Sequence, residues 1–497
     1  MISPKAAPFD LCDPVTQRLL RDMNPWWQGH AVPNLQPVRR WAFDPLVRGL
    51  RSQLAPVVVL RGPRQVGKST LLAQVIDDLL RSGVEPRRIL RVQFDDLRPL
   101  HRPEQPILEV VWWWADHVLG APLGSLGNEP VYLFLDEVQN LRDWAPQLKH
   151  LVDLQPVRAM VTGSSALRIE AGRDSLAGRI HTLELGPLLL REILDLRGLG
   201  HLEPYHPPNG LGAMKDKAFW LRLRAHGEQR RALRDQAFAL FAQRGGYPVA
   251  HKAVDEPWER VADQLVETVV RRAIQHDLRI GSRGAKRDEH LLEEVFRLAC
   301  RYVGQSPRQA LYIDEVRRAL HADVGWLRIL KYLKFLDGAL LVRLVEPLEL
   351  RLKKRQSPAK LVLSDHSLRA AWLQESVPID PTGLDAAPHL ADLAGRIAES
   401  VVGQFFASIV NLDVAHFPER GAEPEVDYVL TIGEQRIPVE VKYRRRIGHE
   451  DTRGLRAFIE RSHYNAPFGL LVTLGDEAAS DDPRIVSLPL PSLLLLR

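Results

Sequence analysis

Apolar positions along the first half of the chain alternate between two rhythms. Residues 57–60, VVVL, form a continuously apolar run, as in a strand buried on both faces. A glycine-bearing loop, 62–67, follows at once, and an apolar helix then runs from Lys68 to about residue 81. Residues 88–94 alternate β-branched and aromatic side chains and read as a second strand; 131–137, 158–165 and 182–185 supply three more. Helical spacing separates them. In the helix at 106–119, Trp112, Trp113 and Trp114 spread around about 300° of the surface, so they cannot all enter one core. Strands alternating with helices predict an α/β fold built on a parallel sheet.

Elsewhere the pattern changes. Residues 1–50 read as a helical lead-in with a turn at Pro25-Trp26-Trp27, expected to pack on that core. Residues 198–217 are rich in Gly and Pro and read as a linker. Helical periodicity returns over 218–280, broken by Gly245-Gly246-Tyr247-Pro248, and the basic, glycine-rich stretch 279–287 suits a hinge. Three amphipathic helices (291–302, 313–320, 326–336) and a strand (339–345) follow in the order of a winged helix. The third helix carries Arg328, Lys331 and Lys334 on one face, as phosphate contacts on DNA require; the same module also serves protein docking. Residues 390–475 read as helix, three strands and helix, and 487–496 as a packed strand or tail.

At 497 residues the chain has room for about three domains, and 45% hydrophobic with 26% charged residues is ordinary for a globular protein. Of 67 basic residues 54 are Arg, and the net charge is +5. Arginine suits phosphate partners, although a compositional bias of the genome produces the same excess. Cys12 and Cys300 are too few for a disulfide framework and lack metal-site spacing, which fits a reducing cytoplasm. No apolar signal core and no membrane-length apolar run is present, so a cytoplasmic location without membrane attachment is expected.

The loop Gly62-Pro63-Arg64-Gln65-Val66-Gly67, with Lys68, Ser69 and Thr70 opening a helix, has the composition of a phosphate cradle. The glycines allow a tight turn that presents N–H groups, Lys68 reaches the β- and γ-phosphates, and Ser69 holds Mg²⁺. ATP and Mg²⁺ are therefore the expected cofactors. The run 131–137, VYLFLDE, ends in two acids where the C-terminal end of a central strand faces a ligand. There Asp136 sits near the metal and Glu137 orients the attacking water. Thr162, Ser164 or Ser165 can bond the γ-phosphate or the water, and Ser164 is the chosen candidate. Arg179 is placed to reach a neighbouring subunit's nucleotide in a homo-oligomer, a surface salt bridge being the simpler account.

In order and spacing, GPRQVGKST, YLFLDEVQ, VTGSSA and LAGRI resemble the prokaryotic AAA+ ATPases that carry a nuclease-like C-terminal domain of unknown function. The resemblance implies Lys68 and Ser69 as Walker A residues, Asp136 and Glu137 as Walker B, Ser164 as polar sensor and Arg179 as arginine finger. It also implies that the helices around GGYP form the lid of the ATPase.

A third group of acids lies near the C-terminus. Glu399 falls in a helix, Asp427 opens the strand DYVLTI, and a turn near residue 434 returns the chain as PVEVKY, bringing Asp427 opposite residues 440–442. The two-residue strand period puts Glu440 and Lys442 on one face, so carboxylates and a lysine converge in a cluster suited to Mg²⁺ or Mn²⁺. This resembles the PD-(D/E)xK nuclease superfamily, with Glu399, Asp427 and Glu440 as metal ligands and Glu440 and Lys442 catalytic.

The expected division is then a lead-in (1–50), a P-loop AAA+ core (51–197), a linker (198–217), a helical lid (218–288), a winged helix (289–355) and a restriction-endonuclease-like α/β domain (356–497). Two readings follow. One is an ATP-hydrolysing enzyme acting on DNA with a metal-dependent nuclease-like domain. The other is a nucleotide-controlled switch or scaffold whose nuclease-like domain binds DNA or protein without cleaving. A metabolic P-loop kinase has no use for the additional domains.

Overall fold

The computed structural model describes residues 14–52, 54–94, 105–127, 129–141, 143–163, 175–206, 210–277, 288–349, 358–419 and 424–497. The chain separates into two compact units, Met1–Leu185 and Gly186–Arg497.

The first unit is built on five parallel strands: β1 (Val57–Arg61), β2 (Ile89–Gln93), β3 (Val131–Asp136), β4 (Val157–Gly163) and β5 (Ile180–Glu184), in the order β2-β3-β4-β1-β5. Strand β1 lies inside the sheet, and residues 57–60 are fully buried because both faces are covered. Val57 and Val59 join the core to which the helices α1 (Pro14–Met23), α4 (Pro106–Trp114) and α5 (Trp144–Leu154) contribute. On the other face α2 (Phe43–Arg51) approaches so closely that a Cβ on Gly49 would lie 3.0 Å from Val58. Trp113 and Trp114 enter the core, while Trp112 is 48% exposed.

Strand β2 is an edge, and side chains of the lead-in cover its backbone. The Asn24 amide donates to the Arg91 carbonyl (2.8 Å) and accepts from the Arg91 N–H (2.6 Å), as a neighbouring strand does. The indoles of Trp26 and Trp27 both donate to the Ile89 carbonyl, at 3.1 and 2.8 Å. The expected packing of this segment on the core thus has a specific form.

In the second unit the helices Glu289–Arg301, Gln309–Leu320 and Trp326–Gly338 precede a two-stranded antiparallel sheet, β6 (Val342–Val345) with β7 (Lys360–Leu363). A second sheet follows, formed by β8 (Asp413–Phe417), β9 (Val426–Ile432), β10 (Gln435–Lys442), β11 (Gly469–Thr473) and β12 (Ile485–Pro489). Its order is β12-β11-β10-β9-β8. β8, β9 and β10 are antiparallel, and β10, β11 and β12 run parallel, with the helix Arg453–Ile459 making the crossover from β10 to β11.

The helices expected as an ATPase lid fall in this second unit. Lys217–Gln229 lies close enough to the chain end that a Cβ on Gly227 would stand 2.2 Å from Ser492 Oγ. In the helix Arg231–Arg244, Arg234 is 2% exposed and bonds both oxygens of Asp476, at 2.9 and 2.7 Å, and Ser492 Oγ at 2.8 Å. The stretch read as a linker pairs with the tail, Tyr205 N–H to Leu495 O and His206 N–H to Leu496 O. The tail itself is strand β12 followed by one helical turn, Leu490–Leu493, all buried.

Candidate functional site

The phosphate loop leaves the C-terminal end of β1 where only glycine fits. A Cβ on Gly62 would lie 2.3 Å from the Leu185 carbonyl oxygen, which follows β5. Gly67 takes φ +98° and Gln65 φ +64°, and these left-handed residues curl the loop before helix α3 (Lys68–Arg81) begins. The buried Lys68 ammonium donates to the Gly62 and Pro63 carbonyls, each at 2.9 Å, so it is held under the loop. Arg40 ties the loop from behind through Val66 O, at 2.6 Å. Pro63 is buried, Arg64, Gln65 and Ser69 reach the surface, and Thr70 continues the first turn of α3.

Asp136 ends β3 and is fully buried. Because the strands are parallel, it lies at the same end of the sheet as the loop. Its Oδ1 accepts from the Thr162 hydroxyl, and Arg91 stands 3.9 Å from its Oδ2, which has no hydrogen-bond partner. A buried carboxylate oxygen with an open acceptor position fits a metal-bound water. Together with Ser69 at the helix start, the residues present fit Mg²⁺ and a nucleotide. Glu137 takes φ +58°, unusual for a residue with a side chain, and its N–H donates to Thr162 Oγ1 at 3.2 Å. Its carboxylate accepts from Gln139.

Thr162 therefore positions both acids from the neighbouring strand β4. Ser164, expected as the polar sensor, lies outside the described residues. Replacing Thr162 by Val, which keeps the shape and removes the hydroxyl, is expected to lower ATP turnover about 10- to 100-fold, as loss of a hydrogen bond to a charged group does. Steady-state kinetics should show the loss in kcat rather than KM, with Thr162→Ser largely restoring it.

Arg179 precedes β5 and its carbonyl accepts from Val57 N–H, so it lies at the opposite end of the sheet from the loop. It does not join the nucleotide site of its own chain. Its guanidinium grips both oxygens of Asp153 on α5, and the hydrogen bond from Arg179 holds that carboxyl below its ordinary range.

A parallel sheet with a phosphate loop after β1 and a buried acid ending β3 is the arrangement of a P-loop domain. Residues 55–194 match the family described as the AAA domain, and residues 394–493 match a domain of unknown function, DUF4143. The chain is 32% identical over 140 residues to an uncharacterised protein of Methanocaldococcus jannaschii, covering 28% of each chain. An uncharacterised protein of Haemophilus influenzae is 23% identical over 321 residues, 63% of this chain and 68% of that one. One of Mycobacterium tuberculosis is 30% identical over 158 residues, 31% and 30% of the two chains. The archaeal and mycobacterial alignments thus span less than a third of those relatives' lengths. Among solved structures, the Walker-type ATPase of Pyrococcus abyssi is 14% identical with TM-score 0.42, covering 69% of this chain and 99% of that one. Cdc6p of Pyrobaculum aerophilum is 15% identical with TM-score 0.27, covering 71% and 97%.

The second unit brings together the other expected acids. Pairing of Val439 with Tyr428 in the β9–β10 hairpin puts Glu440 next to Asp427, whose Oδ2 accepts from Val441 N–H at 2.8 Å. Glu399 approaches from the helix Ala391–Ala407, aligned where Tyr428 OH donates to its backbone carbonyl at 2.9 Å. Lys442 Nζ pairs with Glu440 Oε1 at 2.7 Å, leaving Glu440 Oε2 buried without a hydrogen-bond partner.

Between Glu399 and Asp427 stands Lys360, from β7. It is 1% exposed, and its ammonium bonds the Glu399 carboxylate, Asp427 Oδ1 at 3.1 Å and Glu425 Oε1 at 3.5 Å. Burial opposes charge on Lys360, but the carboxylates of Glu399 and Asp427 outweigh it and hold its pKa well above the ordinary value. Burial, reinforced by Asp427, pushes Glu399 well up. Asp427 lies below its usual range although burial acts against this, because Lys360 favours its charge. Glu440 is pushed up to about 8, by burial first and by Asp427 second.

Glu399, Asp427 and Glu440, expected to hold a divalent ion, each have a lysine beside them. Their positive charge comes from Lys360 and Lys442, and among the described residues no three acidic, histidine or cysteine groups stand together as a metal site. Sequence reasoning missed Lys360. Its only signal was a charged residue leading the apolar strand KLVL.

Arg328, Lys331 and Lys334 project from the exposed face of the helix Trp326–Gly338, with Leu327 beside them 81% exposed and Arg328 3.5 Å from Asp288. Arg444 and Arg445, in a basic run after β10, are taken up in ion pairs with Asp451, and with Asp385 and Glu477. No helix among the described residues is long and apolar enough to cross a membrane.

Proposed function

We propose that this protein is an ATP-hydrolysing AAA ATPase that acts on DNA. Lys68 binds the β- and γ-phosphates, Ser69 and Asp136 hold Mg²⁺, Glu137 orients the attacking water and Thr162 keeps both acids in place. Bound Mg²⁺ supplies charge neutralisation on the phosphate oxygens. Arg179, turned away from its own nucleotide site, serves the site of a neighbouring copy in a homo-oligomer once released from Asp153.

The observation that carries the DNA assignment is the exposed row Arg328, Lys331 and Lys334 on the third helix of a three-helix module that ends in a β-hairpin, the arrangement of a winged helix. The strand order of the C-terminal sheet and the helix before it support a PD-(D/E)xK-like domain. Lys360 between Glu399 and Asp427 favours the reading in which that domain binds without cleaving.

The test is fluorescence-anisotropy titration of duplex DNA together with ATP turnover. The Arg328→Ala/Lys331→Ala/Lys334→Ala variant is expected to bind more weakly, and the slope of log affinity against log salt should fall by about 2.7, three phosphate contacts at about 0.9 each. Equal affinity and slope in the variant, or no DNA binding by the wild type, would reject the assignment.

A further inference from the structure

We infer that Lys360 is the resident cation of the C-terminal acidic cluster, occupying the position between Glu399 and Asp427 that a divalent ion takes in a metal-dependent nuclease, so that this domain works without metal. Both oxygens of Asp427 are committed, Oδ1 to Lys360 Nζ at 3.1 Å and Oδ2 to the Val441 N–H at 2.8 Å. Glu399 bonds the same ammonium, and Glu425 closes a third side at 3.5 Å. The Tyr428 ring lies beneath the ammonium, 5.2 Å from its centroid, where the aromatic face adds attraction for a cation.

Placement of the lysine makes the arrangement self-consistent. Lys360 begins β7, which pairs with β6, whereas its partners lie on the helix Ala391–Ala407 and on β9. One ammonium therefore fastens three elements together. A metal entering between Glu399 and Asp427 must displace a buried ammonium from both carboxylates, a costly exchange. The remaining acid, Glu440, has its own lysine at 2.7 Å. Each pole of the cluster is thus supplied with positive charge by the chain itself.

The inference concerns the nuclease-like domain but does not depend on DNA being the partner. It is tested on the full-length, nucleotide-free protein carrying Asp136→Asn, which removes the metal-facing acid of the ATPase site. Mn²⁺ is the probe, followed by electron paramagnetic resonance and by thermal melting. With Lys360 intact, no tight Mn²⁺ uptake and no shift in Tm are expected. Lys360→Ala should melt earlier, take up one equivalent of Mn²⁺ and regain much of the lost Tm when Mn²⁺ is added.

Tight uptake by the protein with intact Lys360, abolished by Glu440→Gln, would overturn the inference. So would a Lys360→Ala variant that melts unchanged and takes up no metal. If Lys360→Ala does not fold, Lys360→Met/Glu399→Gln, which deletes the cation and one acid together, should fold and melt closer to wild type; its failure to fold would also count against the proposal. Loss of DNA binding in the anisotropy experiment rejects the DNA assignment and leaves these metal results untouched.

Discussion

Lys68→Ala should reduce ATP hydrolysis by about 100- to 1,000-fold, the usual consequence of deleting one preorganised positive donor to developing phosphate charge. The fold around it should survive. The loop keeps its shape through Gly62, which lies against the Leu185 carbonyl, and through the bond from Arg40 to Val66 O. What is lost is the ammonium held under the loop, whose present partners are two loop carbonyls. Phosphate release measured at saturating Mg²⁺-ATP checks this, with the circular dichroism spectrum expected to remain unchanged. A variant that hydrolyses ATP normally would overturn the assignment of the nucleotide site.

Arg234→Ala should give the largest loss of stability, about 3–5 kcal/mol, because it leaves Asp476 and Ser492 without the cation that joins them. Denaturant titration of the second unit's transition is the measurement, and Arg234→Lys should recover only part, since an ammonium cannot bond both carboxylate oxygens as the planar fork does. The pair also has a pH signature. The hydrogen bond from Arg234 holds Asp476 below its ordinary value of 3.8, so the unfolded chain takes up the proton first. The stabilisation is complete above that value and is lost as the pH falls through the folded one. Wild type and Arg234→Ala should therefore converge in stability in strong acid.

The parts legible in the sequence were those whose meaning is local. Residues 57–60 are apolar without interruption and become the inner strand; Gly62 and Gly67 stand where the backbone needs them; Asp136 ends an apolar run and lies buried at a strand end. The hairpin from Asp427 to Glu440 was legible because the two-residue period and one turn fix its register. Lys360 was not, because its partners Glu399 and Asp427 are 39 and 67 residues away and no periodicity links them. The helices at 217–244 show the same limit. An amphipathic pattern reveals that a face is buried but not what buries it, and here Gly227 and Arg234 meet Ser492 of the C-terminal tail. The ion pairs of Arg445 show it again, since Asp385 and Glu477 lie 60 and 32 residues away.

The margin of the first sheet is closed by side chains, with Asn24 and two indoles taking the place of a sixth strand along β2. A seal of this kind can lift away without unpairing any strand, and what it uncovers is a bare ladder of the sort that templates polymerisation. Losing the side chains of Asn24, Trp26 and Trp27 would leave the Ile89 carbonyl and both backbone groups of Arg91 open to a strand from another chain.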